Sequence, residues 1–202
     1  MTRRFLVVSH TTPPDGDWSL EDLAGGAGRV DVLCRAVTSA LCTSHGLRDD
    51  TEVLLVFASD PQRATAVRFD GAQIRHLNPD ERSTAARIQQ ALRARPEDPW
   101  WDEVQAGLHV APFALAEVLG ELEGPLFLLD AAGDDALKTA LPAAGTFVLS
   151  DHRPFTEEET ALLAEGAAGR FSLGEAWYHG HHCIAVVQTL LDRQGAGRGG
   201  SK

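Results

Sequence analysis

Arg170-Phe-Ser-Leu-Gly-Glu-Ala-Trp-Tyr-His-Gly-His-His-Cys183, running into Ile184-Ala-Val-Val-Gln-Thr-Leu-Leu-Asp192, is the stretch on which the reading of this chain turns. A short apolar strand, a glycine-containing loop and a polar cluster open directly onto a helix with an apolar face. Free backbone amides at such a loop-to-helix junction can hold a small polar ligand. A cofactor is expected there. A second stretch, Gly28-Arg-Val-Asp-Val-Leu-Cys-Arg35, places paired charges on an early helix and is the expected substrate contact.

Outward from these two stretches, strands alternate with helices. Phe5–Ser9, Glu52–Ala58, Pro125–Asp130, Thr146–Ser150 and Gly169–Leu173 read as strands, with Thr65–Phe69 a weaker candidate. Val30, Leu33, Cys34, Val37 and Leu41 fall on one helical face, and that helix is expected to end at Gly46. Asn78-Pro-Asp-Glu81 reads as a helix start, with Asn78 as cap, Pro79 at the first position and Glu81 closing a capping box. Arg95–Ala106 reads as an irregular connection, Phe113–Leu122 as a helix, and Asp135–Leu141 as a short one. Thr156-Glu-Glu-Glu159 repeats the capping-box pattern, and the last helix covers His181–Arg193. This order predicts one α/β domain over residues 1–194, a mostly parallel sheet flanked by helices, with Gly195–Lys202 as a disordered tail.

No Gly-x-Gly-x-x-Gly follows the first strand and no Walker pattern is present, which argues against a standard dinucleotide or P-loop site. The cofactor-like loops instead follow the late strands, at Asp130–Asp134, Ser150–Thr156 and Leu173–Cys183. The longest apolar runs are far shorter than the roughly 20 residues a spanning helix needs, so no membrane partner is expected. Three cysteines do not make a disulfide set, and a reduced, cytoplasmic setting is expected. The net charge of −11 speaks against nucleic acid only as a sum. Residues 61–95 hold seven Arg against three acids, whereas 96–165 hold fifteen acids against two bases, so a local field can still attract phosphate.

The late-loop arrangement resembles the SPOUT methyltransferases, and within them the TrmY family of tRNA pseudouridine N1-methyltransferases, from about Ser19 to Asp192. The resemblance is carried by Leu20-Glu-Asp-Leu23, Gly28 to Arg35, Leu41 to Arg48, Asn78-Pro-Asp-Glu-Arg82, Ser150-Asp-His152 and Phe171-Ser-Leu173 through His182-Cys183. It implies a SPOUT-like fold with a deep C-terminal trefoil knot, a homodimer with the active site at the subunit interface, and S-adenosylmethionine as cofactor. It also implies a cofactor site at Leu129, Ser150, Leu173, Gly174, Glu175, Ala176, Trp177, Tyr178 and Cys183. Where relatives show Gly-Asp-His this chain has Ser150-Asp-His152, which adds a side chain at a point of close backbone approach.

The implied reaction removes the N1 proton of pseudouridine and aims that nitrogen at a sulfonium methyl, on nucleotide 54 of the tRNA T-arm. Such a direct displacement depends mostly on positioning. Asp31 is the catalytic candidate with Arg29, either as proton acceptor or as the group that orients Arg29; it lies off the apolar stripe, with Arg35 four residues on. Arg29, Arg35 and Arg82 are the candidate RNA contacts, through planar forks suited to phosphate and base edges. The same Gly-Arg-x-Asp pattern recurs in rRNA-directed pseudouridine N1-methyltransferases. A plain surface Asp–Arg pair is the alternative.

The cluster His179, His181, His182, Cys183 invites a zinc reading, but adjacent histidines rarely share one ion and no second Cys/His pair lies at structural-site spacing, so no metal is expected. Trp100 and Trp101 could stack on an extruded base, with packing the alternative, and His152 beside Asp151 could form an acid–base pair or a structural hydrogen bond. Two other functions stay open: the same chemistry on rRNA or a different tRNA position, and a knotted RNA-binding factor without turnover.

Overall fold

A computed structural model describes residues 2–198. In chain order it gives β1 (Arg3–Ser9), α1 (Val30–Leu41), β2 (Cys42–Thr43), β3 (Gly46–Leu47), β4 (Thr51–Phe57), β5 (Thr65–Asp70), α2 (Glu81–Arg93), β6 (Asp102–Gln105), β7 (Leu108–Ala111), α3 (Leu115–Glu121), β8 (Leu126–Asp135), β9 (Gly145–Ser150), α4 (Glu157–Gly166), β10 (Ala167–Ser172) and α5 (Gly180–Arg198). Of the tail expected at Gly195–Lys202, α5 takes in residues 195–198, and 199–202 lie outside the described residues.

The main sheet has the order β10-β8-β9-β1-β4-β5-β7-β6. The first five strands are mutually parallel, and β5, β7 and β6 extend the sheet antiparallel beyond β4. Alternation along β1 assigns the two faces. Phe5 and Val7 join the core under α1, α2 and α5; Leu6 and Val8 join the core under α3 and α4. Both faces are covered, which is why the inner parallel strands β1, β4 and β9 read as near-continuous apolar runs. Phe5, Phe147 and Phe127 are register partners across β1, β9 and β8, with ring centroids 5.8 and 5.7 Å apart; Phe171 follows at 5.4 Å from Phe127. This aromatic row stiffens the strands whose carboxyl ends carry the site.

The C-terminal helix is anchored by polar contacts as well as packing. Gln188 is buried; its amide donates to the Ala40 carbonyl at 2.9 Å and to the Thr51 hydroxyl at 3.2 Å, and its oxygen accepts from Arg3 at 2.8 Å. Arg48 grips Asp192 with both amino groups, at 3.0 and 2.6 Å. Together these contacts hold α5 against α1 and the start of β1.

The structure corrects several expectations. Helix α1 ends at Leu41 rather than Gly46, because Cys42 turns extended and Cys42–Leu47 form a tight hairpin. The cap of α2 is Asp80, not Asn78: the Asp80 carboxylate accepts the Ser83 amide at 2.8 Å, and a charged acceptor at that spot also favours the helix dipole. Glu81 therefore closes no capping box and is free to reach Arg35. Asp135–Leu141 makes a single turn over Asp135 and stops before Pro142 instead of forming a helix. The segment expected as an irregular connection supplies edge strand β6, whose Asp102-Glu-Val-Gln105 carries no apolar alternation, and Leu108–Ala111 adds β7, a strand the sequence reading does not include. Trp101 packs edge-on to Phe113 at 5.5 Å and under the Arg68 guanidinium at 5.0 Å, while Trp100 is half exposed.

Candidate active site

The carboxyl ends of β8, β9 and β10 open around a cavity of about 460 Å³, within the range of small-molecule sites. Parallel sheets bind ligands at this edge, near the point where strand order reverses. Here β1 leads through α1 to β4 on one side, while β9 lies on its other side. Leu128, Leu163 and Phe171 give the cavity an apolar floor. Its rim is the segment after β8, the loop after β9 and the loop Leu173–Tyr178 after β10. The first of these arises because Arg170 pairs with Leu128 but Phe171 with Asp134, so residues 129–133 bow out of the ladder. Gly133 makes that return possible: a Cβ there would sit 2.6 Å from the Phe171 nitrogen.

All nine residues expected at the cofactor site, namely Leu129, Ser150, Leu173, Gly174, Glu175, Ala176, Trp177, Tyr178 and Cys183, line this one cavity. Trp177 projects almost wholly into solvent. Burial pushes the Cys183 thiol up, so it is a packed thiol rather than a reactive thiolate. The Ser150 hydroxyl donates to the Arg153 carbonyl and closes the turn after β9. Among the described residues, no group of three or more His, Cys, Asp or Glu is placed to hold a metal ion, and no helix is long and apolar enough to cross a membrane.

The second cluster is built on the start of α1. Gly28 and Arg29 both have left-handed backbone, at φ 59° and 65°, and the Thr11 and Thr12 hydroxyls hold the Gly28 carbonyl at 2.7 and 2.9 Å. This turn aims Arg29 back over the helix. Its Nε donates to Asp31 Oδ1 at 2.9 Å and its Nη2 to Oδ2 at 3.2 Å; Arg35 also donates to Oδ2, and with its other amino group to Glu81 at 2.8 Å. Asp31 was read as lying off the apolar stripe, yet it is 5% exposed. Burial alone would raise its carboxyl, but the Arg29 fork and Arg35 outweigh that and hold it below the usual carboxylate range. Arg82 stands apart, paired with Glu21 on the surface at 2.6 Å.

The two clusters are electrostatic neighbours. Asp151, next to Ser150 on the cavity rim, acts on Arg29, and Arg35 acts on His181, two residues before Cys183. His181 is held below the usual histidine range by burial first, then by His182, Arg35 and His179. The sequence points neither to His10 nor to the contact that Glu159, a capping-box residue, makes with it. Asp151 does not take His152 as its close partner, which lies 3.7 Å away; it takes His10, at 3.1 Å.

An α/β protein with a cofactor-sized cavity at its late strands and an arginine-held carboxylate beside it fits the class of S-adenosylmethionine-dependent RNA methyltransferases. The family described as "Putative SAM-dependent RNA methyltransferase" matches residues 2–196, and the chain belongs to it. It is similar to the tRNA (pseudouridine(54)-N(1))-methyltransferases of Halobacterium salinarum, 41% identical over 96% of this chain and 97% of that one, and of Haloferax volcanii, 42% identical over 97% and 99%. Among solved structures it resembles Archaeoglobus fulgidus Nep1 bound to S-adenosylhomocysteine, with a TM-score of 0.63 over 96% of this chain and 98% of that one, at 13% identity. That likeness concerns the fold.

Proposed function

We propose that this chain transfers a methyl group from S-adenosylmethionine to N1 of pseudouridine 54 in the T-arm of tRNA. The observation that carries the reading is identity of about 40% along the whole chain to enzymes named for that reaction, joined to a cavity lined by every expected cofactor residue. The cavity suits this cofactor. Its apolar floor fits an adenine ring, the Asp130 and Glu175 carboxylates at the rim match hydroxyl or ammonium donors, and the Leu173–Tyr178 loop offers backbone amides. Bound there, the cofactor supplies an electrophilic methyl group. The residues of the chain then bind and orient. Asp31 has both oxygens occupied and is a weak base, so its role is to fix Arg29 and Arg35, whose free N–H groups meet phosphate or the base edge.

The same reading includes a knot, in which α5 threads behind the preceding loop, and a homodimer that shares the site. Exposed Trp177, Leu137 and Val186 around the late loops support a second copy covering this edge. A cytoplasmic location follows from tRNA as substrate.

The test uses purified protein, S-adenosylmethionine and tRNA carrying either pseudouridine or uridine at position 54. Mass spectrometry is expected to find N1-methylpseudouridine only in the former. A cofactor-binding protein that methylates a different nucleotide, or none, would shift the reading to another RNA or to a binding factor. Arg82 gives a graded control. Its pair with Glu21 is exposed, so Arg82→Ala should leave the unfolding temperature unchanged and weaken tRNA binding by a single phosphate contact, reducing the magnitude of the salt slope by roughly one.

A further inference from the structure

His10 follows β1 and is nearly buried, with 10% of its side chain exposed. Both ring nitrogens face carboxylates. Nδ1 lies 3.1 Å from Asp151 Oδ1, and Nε2 lies 2.9 Å from Glu159 Oε2. An ionised carboxylate can only accept. Asp151 already accepts the His10 amide at 2.8 Å and the Arg153 amide at 2.8 Å, and Glu159 accepts the Thr156 amide at 2.8 Å. A neutral imidazole would turn one ring lone pair onto a carboxylate. The pattern is complete only when both nitrogens carry protons.

The two carboxylates belong to the segments that wall the cavity, although their chain neighbours, not they, line it. Ser150 precedes Asp151, Pro154 and Phe155 precede the Thr156 cap, and Thr160 follows Glu159; Ser150, Pro154, Phe155 and Thr160 all line the cavity. The next residues after His10, Thr11 and Thr12, hold the Gly28 turn that aims Arg29. One short segment therefore ties down the cofactor wall on one side and the substrate arginine on the other.

We propose that His10 is a positioning residue of the cofactor pocket: as an imidazolium held between Asp151 and Glu159, it fastens the Ser150–Thr160 wall to the end of β1. The inference rests on the cofactor reading above. The charged and titratable groups around the clamp are Asp151 and His152 from the loop after β9, Glu159 from α4, and Arg29 from the start of α1, whose charge is coupled to Asp151. Hydrogen bonding to Asp151, opposed by burial and reinforced by Glu159, raises the His10 value above the ordinary histidine range. A raised value means the clamp is complete at lower pH and is lost as pH rises through it.

The experiment is titration calorimetry of the whole protein with S-adenosylmethionine and S-adenosylhomocysteine from pH 6 to 9, with thermal unfolding in parallel. Wild-type affinity is expected to fall as His10 deprotonates. His10→Gln, which can donate from one end only, should bind about tenfold more weakly at low pH and lose the pH dependence. Glu159→Gln keeps an acceptor for His10 and for the Thr156 amide but removes a charge, so affinity at low pH should persist and the fall should move to lower pH. In turnover, the His10→Gln change should appear in KM for S-adenosylmethionine and not in KM for RNA. A folded His10→Gln protein with wild-type affinity and an unchanged pH profile would overturn the inference, as would an NMR titration finding His10 neutral at pH 7. Failure of the wild type to bind the cofactor at any pH would instead overturn the proposed function itself.

Discussion

Asp31→Ala will lower kcat/KM for RNA methylation by about 10²-fold or more while S-adenosylmethionine affinity stays within about threefold of wild type. Among the described residues the carboxylate alone accepts hydrogen bonds from the Arg29 fork, through both of its oxygens, and it shares Oδ2 with Arg35. Without it, two long cationic side chains next to the cavity lose their common anchor, and a displacement of about 1 Å is enough for an effect of this size. The cost to stability is expected to stay near 1 kcal/mol, because the Arg29 and Arg35 side chains are 37% and 33% exposed and water takes over part of their solvation.

Asp31→Asn separates the two roles that the sequence left open. An asparagine still offers one oxygen to the Arg29 Nε–H, so an orienting residue should lose only about tenfold, with the shape of the pH–rate profile preserved. A general base would lose roughly 10²–10⁴-fold, together with the acid limb of the profile. The observed geometry favours the first outcome. Burial raises the carboxyl and the arginines lower it further, and no oxygen is left unengaged to take a proton. The measurement is kcat/KM against pH for the three proteins on tRNA containing pseudouridine 54.

Much of this site was legible in the chain because its parts are local in sequence. The Leu173–Cys183 loop and the Gly28–Arg35 turn are continuous stretches, and each carries its own signal: glycine and polar residues between strand and helix in one, alternating charges on an amphipathic helix in the other. The place of His10 in the site was not legible, and Glu159 was legible only as a helix-cap residue. His10 meets Asp151 and Glu159 because β1 lies beside β9 in the sheet, at sequence separations of 141 and 149 residues. Asp31 was misplaced for a related reason. Helical periodicity puts it off the apolar stripe, whereas the structure buries it beneath the Arg29 fork and Arg35.

The same contrast holds for the fold. The parallel strands β1, β4, β9 and the first half of β8 are apolar runs that sequence alone marks out, and the Thr156–Glu159 capping box forms as expected. The edge strand β6 and its neighbour β7 gain their identity from pairing, β7 with β5 and β6 with β7. Asp102-Glu-Val-Gln105 has no intrinsic preference strong enough to announce it.

Gly28→Ala is expected to be strongly damaging to both stability and activity. A Cβ at Gly28 would lie 2.1 Å from the Thr11 carbonyl oxygen, 2.6 Å from its carbon and 2.9 Å from the Thr12 Cα, all of them backbone atoms that no rotamer change can move aside. The residue also has φ 59°, a conformation that costs a non-glycine residue about 1–2 kcal/mol before any clash is counted. Overpacking adds roughly 1–3 kcal/mol, so a loss of about 3–5 kcal/mol is expected, or a fall in Tm of about 10 °C for a chain of this size. Activity should fall further than stability. Relief of the clash has to push the Gly28–Arg29 turn away from Thr11 and Thr12, whose hydroxyls hold its carbonyl, and this moves Arg29 off Asp31. Calorimetric unfolding and kcat/KM measured well below the new Tm check the two parts separately. If an alanine protein of native stability kept full activity, the Gly28 turn would not be the element that sets Arg29.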